Sequence, residues 1–258
     1  MKKMIALLLC LMMAVGCCAA LAESDKDAVV AKGKLTVGIT DFAPMDYKND
    51  AGEWIGFDAD LARAFAASLG VAVEFVEIDW DNKVLELNSG NIDCVWNGMT
   101  LTDEVLNSMS CSNPYANNAQ VVIIPVEKAA DYQTVESLAG LVFAVEAGSS
   151  GEAAAKELGF EFNAVQNQAA TLLEVAAMTS DAAIIDSLMA AAMVGEGTDY
   201  ASLSYTVPLT EEKYGVGFRA GSDLTEALNA FFAAAWADGS MQAIAEAYGV
   251  QAAIIPQE

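Results

Sequence analysis

The chain has 258 residues, of which 55% are hydrophobic, and it carries 36 acidic against 12 basic residues. This apolar content excludes a disordered chain, and the net charge of −24 argues against nucleic-acid binding because an acidic surface repels phosphate backbones. The chain has no histidine, which excludes histidine-based triads, zinc sites and general bases.

The N-terminus is typical of an export signal. Basic residues precede an apolar run at residues 4–15, which is too short to span a bilayer as a helix. Two forms of processing stay open. Cleavage after a small-x-small sequence would remove a signal peptide of residues 1–22, whereas a lipobox-like sequence before Cys17 would make that cysteine a lipid anchor. Either form places the mature chain outside the cytoplasm, in the periplasm or at the cell surface.

The rest of the chain alternates predicted strands and helices. Strands are predicted where apolar and β-branched residues cluster, at residues 34–40, 71–78, 92–99, 120–125, 142–146, 181–186 and 214–218. Helices are predicted from apolar residues at three- and four-residue spacing, at residues 57–69, 80–87, 102–109, 134–139, 152–158, 169–178, 187–194, 224–237 and 241–248. This alternation predicts an α/β architecture with mainly parallel sheets.

The alternation falls into two cycles that meet near residue 120. No Gly/Ser linker separates the cycles, so the join is predicted to be a strand-like crossing rather than a flexible tether. Tight joins of this kind favour two lobes that hinge about a cleft.

Two cysteines, Cys94 and Cys111, lie in the body of the chain. They are either small buried residues in neighbouring elements or, in an oxidising compartment, partners in a disulfide. The sequence leaves both alternatives open because the bond depends on geometry.

A series of short motifs carries a resemblance to a known family. The motifs are, in chain order, Phe42-Ala43-Pro44, Gly56-Phe57-Asp58, Asn88-Ser89-Gly90-Asn91-Ile92-Asp93, Trp96-Asn97-Gly98-Met99-Thr100, Ser112-Asn113-Pro114-Tyr115, Gly148-Ser149-Ser150, Asp181-Ala182-Ala183-Ile184-Ile185-Asp186 and Tyr214-Gly215-Val216-Gly217-Phe218. Over about residues 30–250 this ordered set resembles the bacterial extracellular solute-binding proteins of family 3, which deliver polar amino acids to ABC importers.

The resemblance implies a type II periplasmic-binding-protein-like fold, with two α/β lobes joined by two hinge strands and a ligand cleft between them. Carried over here, lobe 1 is expected at residues 23–114 plus 215–258. Lobe 2 is expected at residues 115–214, with hinge segments at both of its ends.

The resemblance also implies aromatic walls for the ligand. Phe42 and Trp80 match the family positions that sandwich the ligand's side chain, where aromatic faces hold an apolar or cationic group. The alternative for both residues is ordinary packing in the core.

A second set of positions would hold the ligand's amino-acid backbone. Asn97, Gly98 and Thr100 match a stretch that receives the amino group on a carbonyl and the carboxylate on an N–H group, although a strand-to-helix turn capped by Thr102 fits the same residues. In lobe 2, the helix opened by Ser149-Ser150 would present N–H groups to an anion, or those residues would simply be its N-cap.

Acids at two strand ends favour a positively charged ligand. Asp186 ends a predicted buried strand, where it would pair with an ammonium group or cap the next helix. Glu146 stands where relatives often have a neutral or basic residue. The cleft is therefore expected to hold two acids with no cation opposite them.

The sequence departs from the family at Val105, where similar proteins carry an Arg that binds the ligand's α-carboxylate. The two arginines of the chain, Arg63 and Arg219, lie elsewhere in the predicted elements. The ligand is therefore either a cationic amine or amino-acid derivative without a free carboxylate, or a polar amino acid held by backbone N–H groups.

The predicted function is delivery of an amino acid or a cationic amino-acid-like solute to a membrane ABC permease, by a monomer that needs no cofactor or metal. Two alternatives use the same scaffold. One is a ligand-sensing partner of a membrane receptor. The other is a dehydratase-type enzyme, for which Glu146 is the one unusual acid, with no nucleophile–base pair beside it in the sequence.

Overall fold

The computed structural model describes residues 24–257. The predicted signal peptide and the candidate lipidation site, Cys17, lie outside the described residues. No helix within the described range is long and apolar enough to cross a membrane.

The chain first builds most of one sheet with its helices. In chain order these elements are α1 (Asp25–Lys32), β1 (Lys34–Ile39), β2 (Tyr47–Lys48), β3 (Trp54–Ile55), α2 (Phe57–Ser68), β4 (Ala72–Glu77), α3 (Lys83–Ser89), β5 (Cys94–Thr100), α4 (Asp103–Ser108), β6 (Ser110–Cys111) and β7 (Ala116–Asn118). A 3-10 turn, Trp80–Asn82, precedes α3.

It then builds a second sheet and returns to the first. The second set is β8 (Gln120–Pro125), β9 (Val142–Glu146), α5 (Ser150–Leu158), β10 (Glu161–Val165), α6 (Gln168–Ala176), β11 (Ala182–Asp186), α7 (Ser187–Met193) and β12 (Leu203–Pro208). The returning elements are β13 (Glu212–Phe218), α8 (Leu224–Ala237) and α9 (Ser240–Ala247).

In each of the two sheets, three adjacent strands are parallel and an antiparallel strand follows them. In the first, the strand order is β4-β1-β5-β13-β6, with β1 parallel to β4 and β5, and β13 antiparallel to β5. In the second, the order is β10-β9-β11-β8-β12, with β9 parallel to its neighbours and β8 antiparallel to β11. We call the bodies around these sheets lobe 1 and lobe 2.

The chain passes between the lobes twice, and the two passages lie side by side. β7 leads into β8 through Ala119, and β12 leads into β13 through residues 209–211. β7 pairs with the start of β13, with Asn118 opposite Glu212. The carboxyl ends of β5, β9 and β11 lie beside these crossings, at the sheet edge where open α/β folds bind ligands.

Most predicted elements are present, and the differences have local causes. The helix predicted at residues 134–139 is a 3-10 helix, Val135–Leu138, because Ala139 already leaves the helical conformation. β10 was missed because all five of its side chains are exposed or half-buried, which removes the apolar alternation of a strand.

The structure decides between the alternatives for the two cysteines, because Cys94 and Cys111 are both free within residues 24–257. They lie on opposite sides of β13, where Cys94 is opposite Phe218 and Cys111 is opposite Gly217. Two strand spacings separate them by about 9–10 Å, which is beyond the reach of a disulfide.

Candidate functional site

A cavity of about 270 Å³ lies between the lobes. Every residue that the sequence singled out lines it: Phe42, Trp80, Asn97, Gly98, Thr100, Val105, Glu146, Ser149, Ser150 and Asp186. Lobe 1 contributes the first six residues and lobe 2 contributes the last four. The structure therefore brings together side chains that the chain separates by up to 144 residues.

The two candidate aromatic walls are both buried and both line the cavity. Phe42 is 2% exposed and packs edge-on against Tyr214, with ring centroids 6.3 Å apart. Trp80 is 8% exposed and begins the 3-10 turn before α3. Packing in the core and facing the cavity are thus compatible for both residues.

Gly98 is the position where the cavity wall most needs glycine. Its φ is +54°, and an added Cβ would lie 2.4 Å from Cε1 of Phe42. Its N–H group donates to Asp58 Oδ2 at 2.6 Å. The backbone of β5 is therefore tied to a buried carboxylate while the ring of Phe42 packs directly on it.

We expect Gly98→Ala to destabilise the fold by about 2 kcal/mol, because the positive φ is strained and the methyl group collides with Phe42. Gly90→Ala is the matched control, since Gly90 also has a positive φ, +78°, but no atom of the described residues lies within 4 Å of its added Cβ. Denaturant unfolding of both variants measures the difference. Equal losses would mean that the contact with Phe42 contributes nothing.

The other lobe 1 polar positions are already bonded within the protein. Oδ1 of Asn97 accepts from N and Oγ1 of Thr40 at 2.8 and 2.7 Å, and its Nδ2 donates to Asp46 Oδ2 at 2.8 Å. Thr102 caps α4 by accepting from N of Val105 at 3.2 Å, which is the turn proposed as the alternative. Asn97 therefore positions the end of β1 as well as lining the cavity.

The two serines at the start of α5 differ in their bonds. Ser149 is the N-cap, and its Oγ accepts from N of Glu152 at 3.1 Å. The hydroxyl of Ser150 donates to Oε1 of Glu212. The N-cap alternative thus describes Ser149, whereas Ser150 connects lobe 2 to the second crossing.

Glu146 is a buried acid with unused bonding capacity. It is 2% exposed, and its Oε1 has no hydrogen-bond partner among residues 24–257. Burial and then the negative charge of Asp186 raise its pKa from 4.5 to about 8, against the opposing effect of Lys83. At neutral pH this carboxyl group is therefore largely protonated in the ligand-free protein.

Asp186 is held by a network of donors rather than by a helix cap. Its Oδ1 accepts from Tyr214 Oη at 2.8 Å and Gln120 Nε2 at 3.1 Å, and also from Asn118, while its Oδ2 accepts from Gln168. Its side chain makes no cap bond to α7 within the described structure. Burial, followed by the charge of Glu212, raises its pKa to about 7.

The expectation that the acids of the cleft face no cation was wrong, because Lys83 lines the same cavity. Its Nζ donates to O of Trp80 at 3.2 Å and, across the cleft, to O of Gly148 at 2.9 Å. Burial lowers its pKa, while Glu104 and Glu146 oppose that shift. The physical reason is helical spacing, since Lys83 follows Trp80 by three residues and so shares its face.

Val105 is 5% exposed and lines the cavity without a charge. Both arginines are engaged elsewhere, since Arg63 donates to Asp60 at 2.8 Å and Arg219 pairs with Asp25 at 3.0 Å.

Sequence reasoning missed Lys83 and Gln168 as cavity residues. The three-residue step from Trp80 could have indicated Lys83. Gln168 had no such signal, because it follows the unrecognised strand β10 and begins α6 one residue before the predicted helix. No group of three or more Cys, Asp or Glu side chains in residues 24–257 is arranged to hold a metal ion.

The fold and the cavity agree with a comparison to known families. The profile of the bacterial extracellular solute-binding proteins, family 3, matches residues 35–251. The chain belongs to this family. The predicted resemblance and the two-lobe fold class are therefore confirmed, and membership supports an exported protein.

Named relatives bind amino acids. The arginine-binding extracellular protein ArtP of Bacillus subtilis (strain 168) is 29% identical over 237 residues, which cover 89% of this chain and 91% of the relative. A solved substrate-binding protein of an ABC uptake transporter from Streptococcus pneumoniae, with bound histidine, is 29% identical. Its TM-score is 0.81, and the match covers 88% of this chain and 96% of that chain.

A further solved structure bears on the enzyme alternative. It is the ancestral amino-acid-binding protein AncCDT-1, described as a precursor of cyclohexadienyl dehydratase, and it is 31% identical with a TM-score of 0.80. The match covers 87% of this chain and 99% of that chain. This neighbour is itself a binding protein, as are the other named relatives, so the chain is a solute-binding protein rather than an enzyme.

Proposed function

We propose that this protein captures a small solute with a cationic amino group outside the cytoplasm and delivers it to a membrane ABC permease. The solute is an amino acid or an amino-acid-like amine, held between the lobes by aromatic walls and buried acids. The amino-acid-binding relatives support this class of ligand. Within this class, the negative charge of the cavity favours solutes that carry a positive charge.

The observation that carries the proposal is Oε1 of Glu146, which has no hydrogen-bond partner in the described part of the chain. A buried polar atom without a partner is costly, and an ammonium or guanidinium group would supply both the missing donor and a counter-charge. Asp186 lies on the same cavity, and its negative charge raises the cost of ionising Glu146. A cation placed between them would relieve that cost.

The overall charge of the lining favours the same ligand. Asp103, Glu104, Glu146 and Asp186 line the cavity together with Lys83. The ammonium group of Lys83 is bonded to two carbonyl oxygens, one of them across the cleft. The excess of negative charge disfavours glutamate or aspartate as ligands.

We expect isothermal titration calorimetry to detect binding of cationic amino acids or polyamines at micromolar or lower Kd and to detect no comparable binding of glutamate or aspartate. The panel contains arginine, lysine, histidine, ornithine, putrescine, glutamine, glutamate and aspartate. Tight binding of either acidic amino acid would contradict the proposal. Small-angle scattering with the best ligand measures whether the lobes close on it, since a ligand that touches both lobes stabilises the closed form.

A further inference from the structure

One carboxylate joins the two lobes at the edge of the cavity. Glu212 begins β13, at the second crossing. Thr100, which ends β5 in lobe 1, donates from Oγ1 to Oε2 of Glu212 at 2.9 Å. Ser150, which begins α5 in lobe 2, donates its hydroxyl to Oε1. Both donors line the cavity. Glu212 therefore accepts hydrogen bonds from two cavity hydroxyl groups, one from each lobe.

The side-chain amide donors beside Glu212 are also bonded within the protein. Nε2 of Gln120 donates to Glu212 at 3.0 Å and to Asp186 at 3.1 Å. Nδ2 of Asn118 donates to Glu212 at 3.2 Å and also to Asp186. A side-chain amide nitrogen carries two hydrogens, so each of these two amides has its full donor capacity in use.

A solute carboxylate placed beside Glu212 would meet the carboxyl groups of Glu212 and Asp186 and four donors that are already bonded. It would need either to displace Glu212 from Thr100 and Ser150 or to remain unpaired, and a buried unpaired charge is strongly disfavoured. An amine or a neutral amide avoids both costs. On the lobe 1 side Val105 is neutral, and the ammonium group of Lys83, which lines the same cavity, is already bonded to the carbonyl oxygens of Trp80 and Gly148.

We propose that Glu212 is a specificity-determining residue, an internal carboxylate that holds the hydroxyls of Thr100 and Ser150 and thereby selects solutes whose own carboxylate is absent or masked. This inference rests on the proposed function, because it concerns which cationic solutes the same cavity accepts. It predicts that the solute enters as an amine, an amide or an ester rather than as a free α-amino acid.

The test compares acid and amide forms of the same compound. Calorimetry of the full exported chain with L-arginine and L-argininamide, and with L-lysine and L-lysinamide, gives two affinity ratios for each variant. In the unchanged protein we expect the amides to bind at least about tenfold more tightly than the acids. In Glu212→Ala, which frees Thr100 and Ser150, we expect the ratio to fall by about tenfold through better binding of the acids.

The matched control is Glu211→Ala, which removes the same charge from the exposed neighbouring residue. It should leave both ratios unchanged. Glu212→Gln is the second variant in case the alanine variant folds poorly, because it keeps the shape and one acceptor oxygen while removing the charge. Its ratio should move in the same direction as that of Glu212→Ala.

The outcomes separate the two proposals. If the probes bind but the acid-to-amide ratio is the same in Glu212→Ala, Glu212→Gln and Glu211→Ala, the role of Glu212 is overturned while the proposed function stands. Acids that bind more tightly than amides to the unchanged protein would overturn it too. If neither form of either compound binds any variant, the proposed cationic ligand is wrong and this inference is lost with it.

Discussion

Replacing Glu146 with Gln is expected to weaken the binding of the best cationic ligand by about 100-fold, because a charge-assisted bond in a buried site is replaced by a neutral one. The amide keeps the size of the side chain, so the cavity retains its shape. Calorimetry of both proteins with the same ligand measures the change. Glu104→Gln is the matched control, since Glu104 lines the same cavity but is exposed, and it should change the affinity only slightly.

The same pair of proteins should differ in the pH dependence of binding. With a pKa of about 8, Glu146 must lose its proton before it can pair with a cation. The affinity for a cation should therefore rise with pH, by up to about tenfold per unit, until the pH passes that pKa. The rise near pH 8 should disappear in Glu146→Gln, whereas the contribution of Asp186, with a pKa of about 7, should remain. An unchanged profile would contradict the assignment.

Stability of the ligand-free protein gives an independent check on Glu146. A pKa raised from 4.5 to about 8 means that the folded state favours the protonated form. The contribution of protonated Glu146 to the free energy of unfolding is fully present below pH 4.5, and it is lost as the pH rises through about 8. Thermal unfolding should therefore show that Glu146→Gln loses less stability than the unchanged protein between pH 5 and pH 9.

Asp186→Ala is expected to lower the free energy of unfolding by about 3–5 kcal/mol and to abolish ligand binding. The substitution leaves four side chains with donors that have lost a buried acceptor: Asn118, Gln120, Gln168 and Tyr214. It also removes a second acid from the cavity.

Denaturant unfolding and calorimetry of the same preparation measure the two effects. Asp181→Ala is the control, because Asp181 precedes the same strand, is exposed and accepts one bond, from N of Val142 at 3.0 Å. A loss below about 1 kcal/mol in Asp186→Ala would mean that water replaces the carboxylate as the acceptor for these donors. If this variant also retained ligand binding, Asp186 would not contribute to the ligand site.

Lys83 changes how the acidity of the cavity is understood. The sequence predicted that the charged groups of the cleft, Glu146 and Asp186, are all negative. In the structure, Lys83 opposes the rise in the pKa of Glu146 and reaches across the cleft to O of Gly148. Lys83 therefore helps to hold the lobes together. Glu146, whose Oε1 has no partner in the described residues, remains the group of the cavity that attracts a cationic ligand.

The family resemblance supplied ten of the residues that line the cavity, without Lys83 and Gln168. The sequence by itself determined the α/β architecture and the order of most strands and helices. These features follow from local signals: apolar periodicity, glycine at helix ends, and polar residues directly after buried strands. β5 and β11 illustrate this, since both are buried along their length and end in the candidate polar residues Thr100 and Asp186.

Only the tertiary structure decided which side chains meet. Thr100 and Glu212 bond across 112 residues of chain, and β13 separates two cysteines that the sequence could have paired. Such contacts depend on strand order and on the register of two crossing strands. Those quantities are set by long-range packing, and no short stretch of sequence contains them.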